Sequence, residues 1–330
     1  PVPTIQLRLA HEARGASDRD AAVRALQTIY LEYPVAPEAS DAAAELASLG
    51  GPVKASATTF APLLARAEKL FAARQCGDAR PLFESLKPLA TADSRDQIQL
   101  RLLQCDVIAK RYTATLNALR TFPTKSVYAP ESELLFLTTL RELNRTQEYL
   151  TRVRAFVDKH GNVPLVERAL NDLAAFYAAG SDEAKAAETF GDLYGRFPQG
   201  QFAERAAWKA GWFAYKSGRY DETIRIFESA SVAMRHADLR PAWLYWAAKA
   251  HLQAGRDDQA LAGFAHEIED YRNTYCGRAA LGENDRLQAA RRPVGTGAVT
   301  PAGPASSPDI PSVAPPENAL LVRQLLAAGM

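Results

Sequence analysis

Residues 203–228 read AERAAWKAGWFAYKSGRYDETIRIFE, and the spacing of their small and aromatic residues indicates the fold of the chain. Before the turn at 217–218, small residues recur with the spacing of one helical face, at Ala203, Ala207, Ala210 and Ala214. Large aromatic residues recur on a neighbouring face, at Trp208, Trp212 and Tyr215. After the turn the same spacing continues, at Tyr220, Ile224 and Phe227. The stretch therefore predicts two antiparallel helices, the first of which has a shallow side that admits another backbone.

The same register recurs along the chain: a turn residue, a small or medium residue five places on, and a large apolar residue nine places on. The turn residues are Ser17, Arg74, Lys110, Asn144, Ser181, Gly218 and Gly255. The residues at plus nine are Leu26, Phe83, Leu119, Val153, Phe190, Phe227 and Phe264. From Arg74 onward the turns are 36, 34, 37, 37 and 37 residues apart. A period of this length predicts an all-α fold, a right-handed α-superhelix (solenoid) of tetratricopeptide-like helix hairpins.

Three segments follow from the pattern. Residues 1–292 are predicted to form the superhelical repeat domain, beginning with two helices over 4–33 and an alanine-rich helix over 38–49. Residues 293–316 are rich in Pro, Gly, Ser and Ala, which predicts an extended linker. Residues 317–330 begin a new helical pattern, whose apolar face would comprise Leu320, Leu321, Leu325 and Leu326. So short a helix has nothing local to bury against, so we expect the sequence to stop at the start of a following helical domain.

Composition excludes several functions. The chain has 39 basic and 38 acidic residues, so no net field favours nucleic acid or an anionic membrane surface. Its apolar runs are shorter than a membrane span requires. The first residue is Pro1, which suggests a fragment or a processed form. We therefore expect no nucleic acid partner and no membrane span.

Three cysteines, Cys76, Cys105 and Cys276, lack C-x-x-C spacing and nearby histidines that could complete a metal site. We expect buried free thiols. In particular, Cys105 lies five residues before the turn of the next hairpin, an offset that would hold its sulfur several ångströms from that of Cys76. The cysteine content fits a cytoplasm or a bacterial periplasm equally well.

The aromatic residues between 208 and 246 are the richest candidate for a binding site. The cluster comprises Trp208, Trp212, Tyr215, Trp243, Tyr245 and Trp246. Such side chains can stack on sugar rings or line a peptide groove, although helical repeats also need large residues at this spacing for core packing.

Other chemistry has little support in the sequence. The histidines are dispersed, at His11, His160, His236, His251 and His266. Carboxylate pairs such as Asp182/Glu183 and Asp221/Glu222 directly follow turns, where they favour a helix N-terminus. No nucleophile, phosphate-binding or dinucleotide motif occurs. We therefore assign no catalytic residue, no metal ligand and no cofactor.

Three strings carry a resemblance to a known family. They are the stretch quoted above, RPAWLYWAAKAHLQAGRDDQALAGF at 240–264 and YRNTYCGRAAL at 271–281. In this order and spacing they resemble the non-catalytic helical region of soluble lytic murein transglycosylases. The match covers about 80 residues and is only architectural over the preceding 200. Cys276 stands where that family usually has a second aromatic residue.

The resemblance implies a role in the bacterial cell wall. In the family a lysozyme-like domain farther along the chain cleaves peptidoglycan to 1,6-anhydromuropeptides with one catalytic glutamate. Its E-S-x-F and G-L-M-Q motifs have no counterpart here, so we expect this chain alone to be inactive and to act as a scaffold. Expected partners are glycan strands or cell-wall proteins, in the periplasm or outside the cell. Candidate contacts are Trp208, Trp212, Tyr215, Tyr245, Trp246, Tyr275 and Arg278. The alternative hypothesis is a stand-alone tetratricopeptide-type adaptor that binds proteins or peptides.

Overall fold

The computed structural model describes residues 2–291, and within this range every regular element is helical. The helices are α1 (Val2–Gly15), α2 (Arg19–Glu32), α3 (Glu38–Ser48), α4 (Phe60–Ala72), α5 (Cys76–Leu86), α6 (Ala92–Ile108), α7 (Tyr112–Leu119), α8 (Ala129–Glu142), α9 (Thr146–His160), α10 (Pro164–Ala179), α11 (Glu183–Arg196), α12 (Ala203–Lys216), α13 (Tyr220–Ala233), α14 (Arg240–Gln253), α15 (Asp257–Tyr271) and α16 (Tyr275–Arg291). A short 3-10 helix, Lys87–Leu89, follows α5.

The helices pair into hairpins that stack in chain order. The pairs are α1/α2, α4/α5, α6/α7, α8/α9, α10/α11, α12/α13 and α14/α15, while α3 packs on the first pair. The second helix of each of the last pairs also packs on the first helix of the next pair, as α11 does on α12 and α13 on α14. We refer to α4, α6, α8, α10, α12 and α14 as the first helices. The predicted all-α solenoid of tetratricopeptide-like hairpins is confirmed.

Each predicted turn residue adopts the left-handed backbone conformation. Their φ angles are 62° at Ser17, 62° at Arg74, 59° at Lys110, 54° at Asn144, 60° at Ser181, 73° at Gly218 and 72° at Gly255. This conformation reverses the chain directly after the first helix of each pair and disfavours residues with a Cβ atom. Five of the seven turns nonetheless carry a residue other than glycine. The turns are therefore recognised in the sequence by their spacing and not by a glycine.

The residues nine places after the turns form the core. All seven are buried, from Leu26 in α2 to Phe264 in α15. A residue at this place faces both its partner helix and the next hairpin, which explains why a large apolar side chain recurs there. These hairpins belong to one compact unit that ends at Asp285. The predicted linker (293–316) and the segment 317–330 lie outside the described residues.

The prediction of free thiols is wrong for two of the three cysteines. Cys76 and Cys105 form a disulfide, with their Cα atoms 5.5 Å apart. Hairpins stacked in the same orientation bring all their turns to one end, so Cys76, just after one turn, lies level with Cys105, just before the next. The predicted offset ignored this lateral alignment. Cys276 is free and half-buried.

Candidate functional site

Three aromatic side chains of α12 form a row of parallel rings. The rings of Trp208 and Trp212 lie 5.8 Å apart between centroids and are inclined by 6°, and those of Trp212 and Tyr215 lie 5.7 Å apart and are inclined by 7°. The spacing i, i+4, i+7 places them on one face of the helix, as the sequence predicts. Neighbouring rings therefore stack on one another along the helix.

The next hairpin adds two aromatic side chains from α14. Trp246 meets Trp212 and Tyr215 edge-on, with centroid distances of 4.6 and 4.8 Å, and Tyr245 meets Trp246 at 5.3 Å. All five side chains are half-buried. We call these residues, Trp208, Trp212, Tyr215, Tyr245 and Trp246, the aromatic strip. Edge-to-face contacts of this kind hold the rings in place while leaving part of each accessible.

The core beneath the strip fixes its position. Trp208 stacks on Phe227 of α13, with the centroids 5.7 Å apart. Phe227 in turn lies against Gly211, where an added Cβ atom would overlap its ring. Trp243, which the sequence places in the same cluster, is instead fully buried at 0% exposure. Trp243 therefore belongs to the core, whereas the side chains of the strip are only half-buried.

The electrostatics of the strip keep its two phenols neutral. Burial raises the pKa of Tyr215, and nearby Tyr220 and Glu283 raise it further. Burial also raises the pKa of Tyr245 to about 12, with added effects from Glu283, Tyr275 and Cys276. At the edge of the strip, Lys249 of α14 pairs with Glu283 of α16 at 2.9 Å. The strip can therefore stack on a ligand and donate hydrogen bonds to it, but it presents no acid or base that titrates near neutral pH.

The remaining two candidate contacts lie on α16. Tyr275 is 79% exposed and close enough to Tyr245 to affect its pKa. Arg278 donates from Nη1 to the backbone oxygen of Asn273 at 2.6 Å, a bond within its own segment. The structure thus brings Tyr275 near the strip, whereas no contact within residues 2–291 joins Arg278 to it.

A polar network on the first helices was missed by sequence reasoning. Arg101 of α6 donates from Nε to Glu68 of α4 at 3.0 Å, and from Nη1 to Glu131 of α8 at 3.0 Å. Gln104 donates to the same Glu131 oxygen, also at 3.0 Å. The spacing of the repeat could have revealed this network. Glu68 and Gln104 lie six residues before their turns, as Trp212 does. The corresponding surface is therefore polar on α4–α8 and aromatic on α12–α14.

Two of the dispersed histidines and one carboxylate after a turn illustrate the structural roles of these residues. His160 lies 2.9 Å from Glu133, His251 lies 2.9 Å from Glu228, and Asp182 caps α11 by accepting from the backbone N–H of Lys185. In the described part of the chain, no group of three or more His, Cys, Asp and Glu side chains is arranged to hold a metal ion. Nor is any helix there long and apolar enough to cross a membrane.

The chain is similar to known proteins in the arrangement of its helices but not in its sequence. No family model matches the sequence, and no curated protein matches it. A tetratricopeptide repeat protein from Parabacteroides merdae aligns over 86% of this chain and 99% of its own, at 10% identity and a TM-score of 0.38. PilF of Pseudomonas aeruginosa aligns over 68% of this chain and 98% of its own, at 11% identity and a TM-score of 0.43.

The C-terminal part of a tetratricopeptide repeat protein from Cytophaga hutchinsonii gives a similar result. It aligns over 69% of this chain and 96% of its own, at 13% identity and a TM-score of 0.43. At such identities and scores, the similarity carries no argument about partners or activity. The chain itself has tetratricopeptide-like repeats, by its hairpins and its turns.

Proposed function

We propose that this protein is a binding scaffold that holds a segment of a partner protein against its first helices, with the aromatic strip as the main contact. The observation that carries the proposal is the row of stacked, half-buried rings held in place by a buried core. Rigid aromatic side chains of this kind provide much of the binding energy at protein interfaces, since little conformational entropy is lost when they are covered. The scaffold performs no chemistry of its own.

The test uses two matched variants of α12. Trp212→Ala removes the centre of the strip, whereas Phe213→Ala removes another half-buried ring at the next position, which points to a different side of the helix. Peptides selected from a random library for binding to the intact protein should lose affinity for Trp212→Ala by about 30-fold, as for a typical hot-spot residue. They should bind Phe213→Ala nearly as well as the wild type. Equal affinity for both variants would refute the role of the strip.

A second candidate is the scaffold of a lytic transglycosylase, which would position glycan strands for a catalytic domain. It is supported by the resemblance of residues 203–281 to that family and by the half-buried aromatic side chains of the strip, a residue type that can stack on sugar rings. Binding to purified murein sacculi that Trp212→Ala abolishes would favour this candidate over the first. Release of anhydromuropeptides by this chain alone would contradict the proposal that the scaffold is inactive.

We also propose that the protein resides in an oxidising compartment, the periplasm or the exterior of a bacterial cell. The Cys76–Cys105 disulfide supports this location, because cytosolic thiols are kept reduced. Alkylation of free thiols in freshly lysed cells, followed by mass spectrometry, tests the location. Modification of Cys276 alone is expected, and modification of all three cysteines would argue for the cytoplasm.

A further inference from the structure

One core position of the repeat carries a carboxylic acid. The residue twelve places after each turn is apolar and buried in six hairpins, where it is Ile29, Leu86, Phe122, Phe156, Leu193 and Ala230. In the last hairpin, the residue twelve places after Gly255 is Glu267 of α15, and its exposure is 0%. A glutamate has thus replaced a core hydrophobic residue without moving to the surface.

Among residues 2–291, neither carboxyl oxygen of Glu267 has a hydrogen-bond partner. In the same part of the chain, the indole N–H of Trp243 on α14 also lacks one. Arg240 of α14, the cation that lowers the pKa of Glu267, is already engaged, since it donates from Nη1 to Asp270 at 2.9 Å and to the Tyr271 hydroxyl at 2.6 Å. An ionised carboxylate in such a place is strongly disfavoured.

Its neighbours do not offset this cost. Burial raises the pKa of Glu267 from 4.5 to about 8, against a lowering by Arg240 and with a further increase from Asp270 of α15. Asp270 contacts His266 as well as Arg240, with its Oδ2 atom 3.2 Å from Nε2 of His266. On α16, the group that Glu267 affects is the Cys276 thiol, whose pKa is raised by burial and then by Glu267. The carboxyl is therefore neutral below about pH 8 while it stays buried.

The start of α16 lies beside Glu267, since the carboxyl acts on the thiol of Cys276, the second residue of that helix. Its buried residues are Gly277 and Ala280, and a Cβ atom at Gly277 would overlap the backbone carbonyl of Tyr271 at the end of α15. The same helix carries Glu283, the partner of Lys249 at the edge of the aromatic strip. Movement of α16 away from α14 and α15 would expose Glu267 to water and break the ion pair between Lys249 and Glu283 at the edge of the aromatic strip.

We propose that Glu267 is a proton-controlled latch, which holds the start of α16 closed when the carboxyl is neutral and releases it when the carboxyl ionises. The closed state keeps a proton that the open state loses, so opening becomes more favourable as the pH rises from 4.5 to about 8 and changes no further above that. The latch itself is independent of the proposed function. Its consequence, a binding surface altered by pH, depends on the aromatic strip being the site.

Amide hydrogen exchange in α16 tests the latch. In the wild type, protection factors corrected for intrinsic exchange should fall about tenfold per pH unit between about pH 5 and pH 8, because one proton is released on opening. In Glu267→Leu, which restores the apolar residue of the other hairpins, they should not depend on pH. Glu269→Leu, an exposed carboxyl on the same helix, is the matched control and should retain the wild-type slope.

A neutral variant of nearly the same shape keeps the test decisive if Glu267→Leu does not fold. Glu267→Gln cannot ionise, so its α16 amides should stay protected at pH 8 at the level that the wild type shows near pH 5. The same slope in Glu267→Gln as in the wild type would overturn the latch. So would wild-type protection that does not vary with pH. Peptide binding by Trp212→Ala is scored separately, so the latch and the proposed function can fail independently.

Discussion

At the scale of single residues, the fold depends on a few positions where the backbone conformation is unfavourable or where there is no space for a side chain. Arg74, Lys110 and Asn144 adopt the left-handed conformation that glycine adopts most readily, at φ between 54° and 62°. Such residues cost about 1 kcal/mol or more each, and the packing of the two helices they join must offset that cost. The hairpin contacts, not the turn residues, therefore stabilise the reversal of the chain.

Gly211 of α12 is a position where the packing leaves no room for a side chain. Gly211→Ala would drive a Cβ atom into the Phe227 ring, so we expect a loss of roughly 1–3 kcal/mol in the free energy of unfolding. Urea denaturation followed by tryptophan fluorescence measures it.

Gly195 of α11 provides the control for Gly211. It is also helical, but a Cβ atom there would meet nothing within 4 Å. Gly195→Ala should stabilise the protein by about 0.5–1 kcal/mol, because alanine restricts the unfolded chain more than glycine does. A Gly211→Ala variant as stable as Gly195→Ala would contradict the close packing of Phe227 on α12.

At the scale of elements, successive hairpins are joined by specific bonds besides apolar packing. Glu167 of α10 accepts a hydrogen bond from the backbone N–H of Phe202, and Glu204 of α12 accepts one from Leu239, each at 2.8 Å. Each of these hydrogen bonds joins the first turn of a first helix to the residue that directly precedes the first helix of the next hairpin. The disulfide between α5 and α6 is a covalent bond between successive hairpins.

Removal of the disulfide should destabilise the protein mainly through the unfolded chain. Its cysteines are 29 residues apart, so loss of the cross-link in Cys76→Ser/Cys105→Ser should cost roughly 3–4 kcal/mol by the loop-closure estimate. Guanidinium denaturation with and without a reductant measures this. The reductant should lower the wild-type midpoint and leave the double variant unchanged, with Cys276→Ser behaving like the wild type. A wild-type midpoint that the reductant does not move would count against the cross-link.

At the scale of the whole molecule, the core is a succession of patches. One apolar cluster lies in α1–α3, a second in α4–α6, and a third extends from α6 to α14. Only partly buried residues, such as Tyr30 and Val53, pack against both the first and the second cluster. Each hairpin contacts mainly its neighbours, so stability is expected to be local.

A core substitution should accordingly act over a short range. Leu26→Ala empties a fully buried site in α2 and should cost about 2–5 kcal/mol locally. Hydrogen exchange should show lost protection in α1–α3 and unchanged protection in α10–α13. Leu193→Ala in α11, equally buried, should give the reverse pattern. A uniform loss of protection in either variant would mean that the stack unfolds as one cooperative unit.

The candidate site could be predicted from the sequence only in part. The spacing of Trp208, Trp212 and Tyr215 places them on one face of α12, and the rings are arranged accordingly. The sequence could not separate Trp243 from Trp246, because the exposure of each depends on which neighbouring helix covers it. Arg278 was grouped with the site by resemblance, yet its hydrogen bond lies within its own segment.

The hairpins, their turns and the large residues at their cores could be predicted from the sequence. Helix formation and chain reversal depend on residues a few positions apart, so a repeat of about 37 residues can be recognised in the sequence. The pairing of Cys76 with Cys105, the contacts of Arg101 with three helices and the burial of Glu267 emerged only from the folded structure. Those facts depend on the sideways alignment of separate hairpins, which brings together residues about 30 positions apart, and no local pattern encodes that alignment.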